Sequence, residues 1–270
     1  MNWKTLFSPG SNLDPEEARK YMEEHGKDCC QLLDVRTENE YKQQHIPGAI
    51  LIPVKELMGR FEELNADEAV LVYCRSGVRS KAAAQILLGE GFKEVYNMSG
   101  GIVAWQGHQA AGPESQGMEF FIDHDFADVF SMSYAMEESL RQLYLGLVDL
   151  VDSEAEKKLL QRLANFEESH KSKLAARFPA ADTETAEKTD VLESGISRQH
   201  IMDYFAPHLG SMRDILELGM MLEAQAYDLY SRLARSAEDD QSRELFEYLA
   251  VEETQHLAFL SNEMKNISQA

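Results

Sequence analysis

The sequence is poor in cysteine and in basic residues. Its 270 residues include 3 cysteines, of which Cys29 and Cys30 are adjacent and Cys74 stands alone. This number is too small for a disulfide framework or a four-cysteine iron site, and it suits a reducing compartment. Lysine and arginine number 26 against 47 acidic residues, which gives a formal net charge of -21. That balance argues against nucleic acid and anionic membranes as partners.

Long apolar runs are also missing. No segment reaches the length that a membrane span requires, and no basic start followed by an apolar stretch opens the chain. We therefore expect a cytoplasmic protein with no membrane partner. The length is sufficient for two domains that each bury a core of their own.

The first part of the chain alternates short apolar segments with helical ones. This alternation is typical of an α/β fold with a mainly parallel sheet. The segments with strand character are 31–35, 49–52 and 69–73, and those with helical character are 15–24 and 80–89.

The second part of the chain has long helical periodicity. A small, turn-rich stretch near residue 112 ends the first pattern, and we predict domains at 1–112 and 113–270. Two helical hairpins follow, near 120–178 and 211–265, which together predict an all-α four-helix bundle. A long polar crossover, with a short helix near 199–205, joins the hairpins.

Cys74 has the sequence context of a nucleophile. It follows an apolar strand and precedes a helix, so backbone N–H groups and the helix dipole at this loop favour an anion. Arg75 and Arg79 add two positive charges. A thiol in this setting is expected to have a lowered pKa and to react as the thiolate. The alternative is a core cysteine at a strand end, which we consider the weaker interpretation.

Four segments around this loop resemble a single-domain rhodanese. They occur in the order LDVRTENEY, HIPGAI, CRSGVRS and GGIVAW, and the resemblance covers roughly residues 1–110. It implies that Cys74 takes a sulfane sulfur from thiosulfate or another donor as a persulfide and passes it to a thiol acceptor. Because only four residues separate Cys74 from Arg79, sulfur transfer is favoured over the dephosphorylation catalysed by cysteine phosphatases of similar fold.

The same resemblance implies roles for the residues of the loop. Arg75 and Arg79 are expected to hold the anionic donor. The backbone amides of three residues are expected to steady the persulfide: Ser76, Gly77 and Val78. Three further motif residues are interpreted as structural: Asp34, Arg36 and His45. The Gly100–Gly101 pair predicts a tight turn beside the loop.

The helical half repeats a carboxylate and histidine pattern. Each copy has a glutamate, a second glutamate thirty residues later, and a histidine three residues after that. Glu and His at i and i+3 share one helix face. With turns near Asp152 and Glu238, midway between the glutamates of each copy, the ligands lie level across each hairpin. The six predicted metal ligands are Glu137, Glu167, His170, Glu223, Glu253 and His256.

This donor set predicts two iron ions per chain, with manganese or a mixed pair as alternatives. One Glu-x-x-His could be a solvated helix face, but two matched copies make that interpretation weak. Tyr144 and Tyr230 lie two turns beyond the first glutamate of each copy. We predict that they hydrogen-bond a ligand of the opposite helix, with ordinary core tyrosines as the alternative. Three glutamates next to ligands are expected to face solvent: Glu138, Glu168 and Glu252.

The segment from about 118 to 265 resembles the rubrerythrin branch of the ferritin-like proteins. The resemblance implies a di-iron centre that reduces peroxide or oxygen. The sequence departs from rubrerythrin in having no rubredoxin tail and in carrying Ala226 where an additional glutamate is expected. Both departures weaken the prediction of peroxidase activity and leave the electron donor unknown.

The leading hypothesis is a sulfurtransferase fused to a di-iron oxidoreductase, in which sulfur on Cys74 could supply electrons to the metal site. A second hypothesis is an iron storage or delivery protein coupled to sulfur supply. A third, a redox or sulfur sensor, has no sequence feature that favours it. A homodimer is expected, because exposed faces of such bundles often pair.

Overall fold

The computed structural model describes residues 12–25, 30–112, 129–177, 192, 197–205 and 209–269. The chain divides into two compact units, Met1–Glu114 and Ser115–Ala270. The predicted domain boundary at 112/113 adjoins residues outside the described ranges and stays a prediction.

The first unit contains a five-stranded sheet in which every pair of neighbouring strands is parallel. The strand order is β1-β5-β4-β2-β3. The strands are β1 (Asn12–Leu13), β2 (Cys30–Asp34), β3 (Ile50–Leu51), β4 (Ala69–Tyr73) and β5 (Val95–Met98). The helices are α1 (Pro15–His25), α2 (Glu38–Gln43), α3 (Leu57–Arg60), α4 (Val78–Gly89) and α5 (Gly101–Ala104), with a 3₁₀ turn at Phe61–Glu63. The predicted α/β fold is confirmed.

Strand β4 lies in the middle of the sheet and is buried along its whole length. Its side chains alternate between two apolar clusters: Leu71 and Tyr73 belong to one, and Val70 and Val72 to the other. Cys74 follows β4 directly, at the carboxyl edge of the sheet, where open α/β sheets place their ligand sites. The fold therefore puts the candidate nucleophile at the edge suited to binding.

The second unit is helical, as predicted. Its helices are α6 (Val129–Val148), α7 (Glu154–Arg177), α8 (Arg198–Phe205), α9 (Met212–Ser236) and α10 (Asp240–Gln269). The turn after α6 contains Asp152 and the turn after α9 contains Glu238, the two predicted midpoints. Most of the predicted crossover lies outside the described residues, although α8 agrees with the short helix expected near 199–205. No described helix is long and apolar enough to cross a membrane.

The core of the bundle is divided into two apolar clusters. On α6, Met136 belongs to one cluster and Leu140 to the other. On α9, Ala226 belongs to the cluster of Met136 and Leu222 to that of Leu140. The residues between them include the first glutamate of each repeat, so a polar layer separates the two halves of the apolar core.

Candidate active site and metal centre

Cys74 lies in a short loop whose backbone donates to its sulfur. The thiol is buried, with 1% of the residue exposed. The N–H of Gly77 lies 3.1 Å from Cys74 Sγ, and the hydroxyl of Ser80 lies 3.4 Å from the same atom. Gly77 has φ of +90°, and a Cβ there would lie 3.0 Å from the backbone nitrogen of Gly100, so this position favours glycine.

These contacts determine the direction in which the pKa of the thiol is shifted. Burial acts to raise the pKa of Cys74, but hydrogen bonds from the Ser80 hydroxyl and from backbone N–H groups of Ser80, Ser76 and Gly77 outweigh it. The pKa is therefore lowered from its ordinary value of 9.0. Three backbone amides were expected at the sulfur, and those of Ser76 and Gly77 contribute to the lowered pKa. The amide of Ser80 contributes as well. Val78, the third expected residue, has an exposed side chain on α4.

The Gly100–Gly101 turn supports the loop from the other side. The N–H of Ile102 donates to the carbonyl of Cys74 at 2.9 Å, and the N–H of Val103 donates to that of Arg75 at 3.2 Å. A Cβ on Gly101 would lie 2.3 Å from the Cys74 carbonyl oxygen. The interpretation of a tight turn beside the cysteine loop is confirmed.

The two arginines of the loop differ in their surroundings. Arg75 is exposed. Arg79 makes a two-pronged ion pair with Glu40 on α2, with N–O distances of 2.7 and 2.6 Å. Hydrogen bonding from Arg79 lowers the pKa of Glu40 to about 2. The guanidinium of Arg79 is thus already paired with a carboxylate, whereas Arg75 is exposed to solvent.

The other rhodanese-motif residues support the loop structurally. Arg36 and Asp34 form a buried ion pair at 2.6 Å, and Arg36 also donates to the carbonyl of Gln44 at 2.7 Å. The hydroxyl of Tyr73, whose ring lies under Arg36, accepts from the N–H of Ile46 at 3.1 Å. These contacts tie the segment after β2 to the strand that leads into Cys74.

In the second unit, the six predicted metal ligands converge inside the bundle. None of them has more than 6% of its surface exposed. His170 Nδ1 lies 2.8 Å from Glu137 Oε2, and His256 Nδ1 lies 3.0 Å from Glu223 Oε2. The two imidazoles are stacked, with ring centroids 4.7 Å apart. Three groups have ligand atoms within 4.8 Å of one another: His170, Glu253 and His256; Glu137, Glu167 and His170; and Glu167, Glu223 and His256.

Glu167 provides a test of whether a cation fits this site. It is completely buried, and neither of its carboxylate oxygens has a hydrogen-bond partner within the described ranges. Burial, together with the negative charges of Glu223, Glu137 and Glu253, raises its pKa well above 4.5. Two imidazoles cannot neutralise four buried carboxylates, and an unpaired buried carboxylate is costly. A pair of divalent cations fits this donor set.

Comparison with known proteins assigns the helical unit. The family model described as Rubrerythrin matches residues 128–264, just over half of the chain. The chain belongs to the rubrerythrin family. Membership implies iron binding, in agreement with the carboxylates and imidazoles of the bundle.

The first unit has a different relationship. The model described as Rhodanese-like domain matches residues 14–108. The thiosulfate sulfurtransferase GlpE of Coxiella burnetii is 38% identical over 77 residues, which cover 28% of this chain and 72% of GlpE. A sulfurtransferase of Allochromatium vinosum is 42% identical over 77 residues, with the same coverage of 28% and 72%. The chain is therefore a rhodanese-like domain fused to a rubrerythrin domain.

Two further relatives match the rhodanese-like domain. The uncharacterized Bacillus subtilis protein YqhL is 46% identical over 78 residues, which cover 29% of this chain and 62% of YqhL, less than two thirds of its length. A crystal structure of a rhodanese-like domain protein from Staphylococcus aureus is 29% identical, with a TM-score of 0.33, and the match covers 35% of this chain and 90% of that one.

Two tyrosines of the rubrerythrin domain contact the ligand glutamates. The hydroxyl of Tyr144 donates to Glu223 Oε1 at 2.6 Å, and that of Tyr230 donates to Glu137 Oε1 at 2.7 Å. Both tyrosines are buried. Each therefore joins one helical hairpin to a carboxylate of the other.

Ala226 occupies the position where rubrerythrins are expected to carry an additional glutamate. It is buried in an apolar cluster that includes Met136 and Leu229. The rubrerythrin domain therefore offers an apolar surface, and no seventh ligand, at this position.

The prediction that Glu138 faces solvent was wrong. Glu138 is buried, with its carboxylate bound by Lys171, by Arg141 at 2.8 Å and by Gln142 at 2.7 Å. Burial acts to raise the pKa of Glu138, but these partners outweigh it and lower the pKa to about 2. The available sequence signal for a paired Glu138 was the presence of Arg141, three positions later on α6, and of Lys171 on α7.

The other two glutamates next to metal ligands differ in their exposure. Glu168 has 54% of its side chain exposed, in agreement with the prediction. Glu252 has 14% exposed and pairs with Lys173 at 2.5 Å. The expectation of a solvent-facing Glu252 was therefore wrong, because the Lys173 side chain on α7 covers it.

Proposed function

We propose that this protein forms a persulfide on Cys74 and reduces peroxide or oxygen at a di-iron centre in its rubrerythrin domain. The proposal includes Arg75 and Arg79 as catalytic residues of the sulfur step and the six converging side chains as ligands of two iron ions. The observation that supports the redox half is the meeting of two matched Glu and Glu-x-x-His sets around Glu167, whose carboxylate oxygens have no hydrogen-bond partner among the described residues.

The sulfur step starts from the lowered pKa of Cys74. The thiolate attacks the outer sulfur of thiosulfate, the sulfur–sulfur bond of thiosulfate breaks, and sulfite leaves with the bonding electron pair. Cys74 then carries a persulfide, and an acceptor thiolate removes the outer sulfur and restores the Cys74 thiolate. Arg75 is exposed and suited to attract the dianionic donor. The N–H of Gly77 and the hydroxyl of Ser80 support the negative sulfur.

Arg79 contributes to this step through position. Its guanidinium is held by Glu40. Hydrogen bonding to Glu40 raises the pKa of Arg79, burial acts against this increase, and the negative charge of Cys74 makes a smaller contribution that also raises the pKa. Arg79 therefore keeps a positive charge near the sulfur while Glu40 fixes its direction.

At the metal centre, iron ions held by the six ligands would supply redox chemistry toward peroxide or oxygen. The protein provides a buried, water-poor environment for that chemistry. The tyrosine hydroxyls at Glu223 and Glu137 orient those carboxylates. Burial raises the pKa of Tyr144 well above 10.0, so its phenolic oxygen keeps its proton.

The deciding experiment measures metal content and visible absorption. The full chain is purified without air, its iron is quantified, and one equivalent of hydrogen peroxide is added. About two irons per chain and a rapid new visible band are expected. Metal-free protein, or two ions that do not respond to peroxide, would contradict the redox half of the proposal.

The sulfur half is tested separately. Wild-type protein incubated with thiosulfate should carry sulfur that cyanide releases as thiocyanate, and Cys74→Ser should release none. Cys30→Ser is the matched control, because Cys30 lies at the start of β2, away from the carboxyl edge of the sheet. Equal thiocyanate release from Cys74→Ser and wild type would contradict a Cys74 persulfide.

A second candidate function is iron storage or delivery. It is favoured by Ala226, because this residue lies in apolar surroundings and supplies no additional metal ligand. It predicts slow iron release to an acceptor without peroxide turnover.

The proposal also includes a homodimer, which light scattering of the full chain would test.

A further inference from the structure

The two halves of the metal centre differ at the residue that precedes each second glutamate. Phe166 precedes Glu167 on α7, and Glu252 precedes Glu253 on α10. These positions are equivalent in the repeat, yet one carries an aromatic ring and the other a carboxylate. The two histidines therefore have unequal surroundings.

His256 has an aromatic neighbour. Its ring is stacked on Phe166, with centroids 4.6 Å apart and an interplanar angle of 13°. Phe166 in turn meets Phe259 edge to face at 5.4 Å. On this side of the centre, aromatic rings pack against a histidine whose Nδ1 lies 3.0 Å from Glu223 Oε2.

His170 has a carboxylate near its outer nitrogen. Its Nδ1 faces the ligand carboxylates, at 2.8 Å from Glu137 and 3.6 Å from Glu167. Its Nε2 is buried and has no hydrogen-bond partner among the residues the structure describes. The nearest carboxylate oxygen in an ion-pair contact with Nε2 belongs to Glu252, at 3.6 Å.

The chemistry of a histidine ligand requires a proton on the nitrogen that faces away from the metal. Because Nδ1 of His170 faces the ligand carboxylates, it must be unprotonated to bind, and Nε2 then carries the proton. Metal-binding histidines generally donate that N–H to a carboxylate, a carbonyl or water, which fixes the tautomer and the ring orientation. Glu252 is held in place for this role by Lys173, at 2.5 Å.

We propose that Glu252 is a positioning residue that accepts the outer N–H of His170 and makes the two metal positions unequal in affinity. The position that uses His170 binds its ion more tightly, because His170 is fixed in its binding tautomer. In the position that uses His256, the residue equivalent to Glu252 in the repeat is Phe166, whose ring is stacked on the imidazole. This inference rests on the proposed metal centre and adds a difference between its two halves.

The experiment uses the full metal-free chain titrated with Co²⁺, followed by visible absorption. Wild type should bind two ions in two resolved steps. Glu252→Leu removes the acceptor and should weaken one step about ten- to a hundredfold, with a much smaller change in the other. Glu252→Gln keeps an oxygen acceptor and should fall between wild type and Glu252→Leu. The matched control is Glu168→Gln, which changes an exposed glutamate next to the predicted ligand Glu167 and should leave both steps unchanged.

A second readout follows the tautomer directly. In Zn²⁺-loaded protein with ¹⁵N-labelled histidine, the Nε2 resonance of His170 should shift in Glu252→Leu and stay in place in Glu168→Gln. If wild type binds fewer than two Co²⁺ ions, the proposed centre itself fails. If wild type binds two, the inference is overturned when Glu252→Leu matches wild type or weakens both steps equally. Should Glu252→Leu not fold, the same criteria apply to Glu252→Gln.

Discussion

The hydroxyl of Tyr144 on α6 donates a 2.6 Å hydrogen bond to Glu223 on α9. The reciprocal bond, from Tyr230 on α9 to Glu137 on α6, measures 2.7 Å. Each hairpin thus orients the first glutamate of the other. Because all four side chains are buried, these bonds act where water cannot replace them.

Tyr144→Phe should lower the free energy of unfolding of the metal-free helical domain by about 1–3 kcal/mol, because Glu223 loses a buried donor. Helical circular dichroism in urea measures this change. Tyr134→Phe is the control: its half-buried ring packs under Lys171 at 5.0 Å, a contact that phenylalanine keeps. Equal losses in the two variants would contradict a specific role for the Tyr144 hydroxyl.

Glu138→Gln should destabilise the helical domain strongly. It leaves the ammonium of buried Lys171 without its main carboxylate, and breaking a buried ion pair from one side costs about 3–5 kcal/mol. Glu168→Gln, at an exposed neighbour of Arg141, should cost no more than about 1 kcal/mol. Urea unfolding of both variants measures the difference, and a small loss in Glu138→Gln would show that water reaches Lys171.

Ser80→Ala should raise the pKa of Cys74, since the Ser80 hydroxyl is the largest of the contacts that lower it. The pH dependence of alkylation by iodoacetamide reports this pKa. The curve should move to higher pH in Ser80→Ala. Ser76→Ala keeps the backbone N–H and should leave the curve unchanged; a matching shift there would contradict the assignment to the Ser80 hydroxyl.

The Glu40–Arg79 pair should contribute to stability in a defined pH range. The pKa of Glu40 is lowered from 4.5 to about 2, so the folded state holds this carboxylate ionised where the unfolded state protonates it. The contribution is complete above pH 4.5 and is lost as the pH falls toward 2. The difference in thermal midpoint between wild type and Glu40→Gln should therefore shrink over that interval, and a difference that is constant with pH would contradict the pairing.

Electron supply from sulfur is a separate hypothesis. If sulfur bound to Cys74 feeds the metal centre, peroxide consumption with thiosulfate or sulfide as the reductant should slow markedly in Cys74→Ser. Peroxide loss and thiocyanate release are measured on the same iron-loaded samples. Unchanged peroxide consumption in Cys74→Ser would end this hypothesis and leave two independent activities.

Sequence periodicity predicted the bundle well because helices have a constant rise. The equal spacing of Glu137 to Glu167 and of Glu223 to Glu253 therefore located both turns and the level at which the ligands meet. The directions of Glu138 and Glu252 could not be read in this way, since Lys171 and Lys173 reach them from a different helix.

The rhodanese-like domain shows the same limit. Strand β4 was evident from its continuous apolar run, and Cys74 from its place after that strand. Strand β5 was missed because it is short and contains Asn97. This residue is buried but polar, so hydrophobicity does not mark it as part of a strand. The partner of Arg79 was missed because Glu40 is distant in sequence and meets Arg79 only after β2 and β4 pair.

The polar layer between the two apolar clusters of the bundle also determines how the four helices align lengthwise. Sliding one helix by a single turn, about 5.4 Å, would place its carboxylate among leucines and methionines and leave the opposite imidazole facing an apolar side chain. Both changes carry a large desolvation cost. The buried carboxylates and histidines therefore select one register from several that the apolar residues alone would permit, even before an ion is bound.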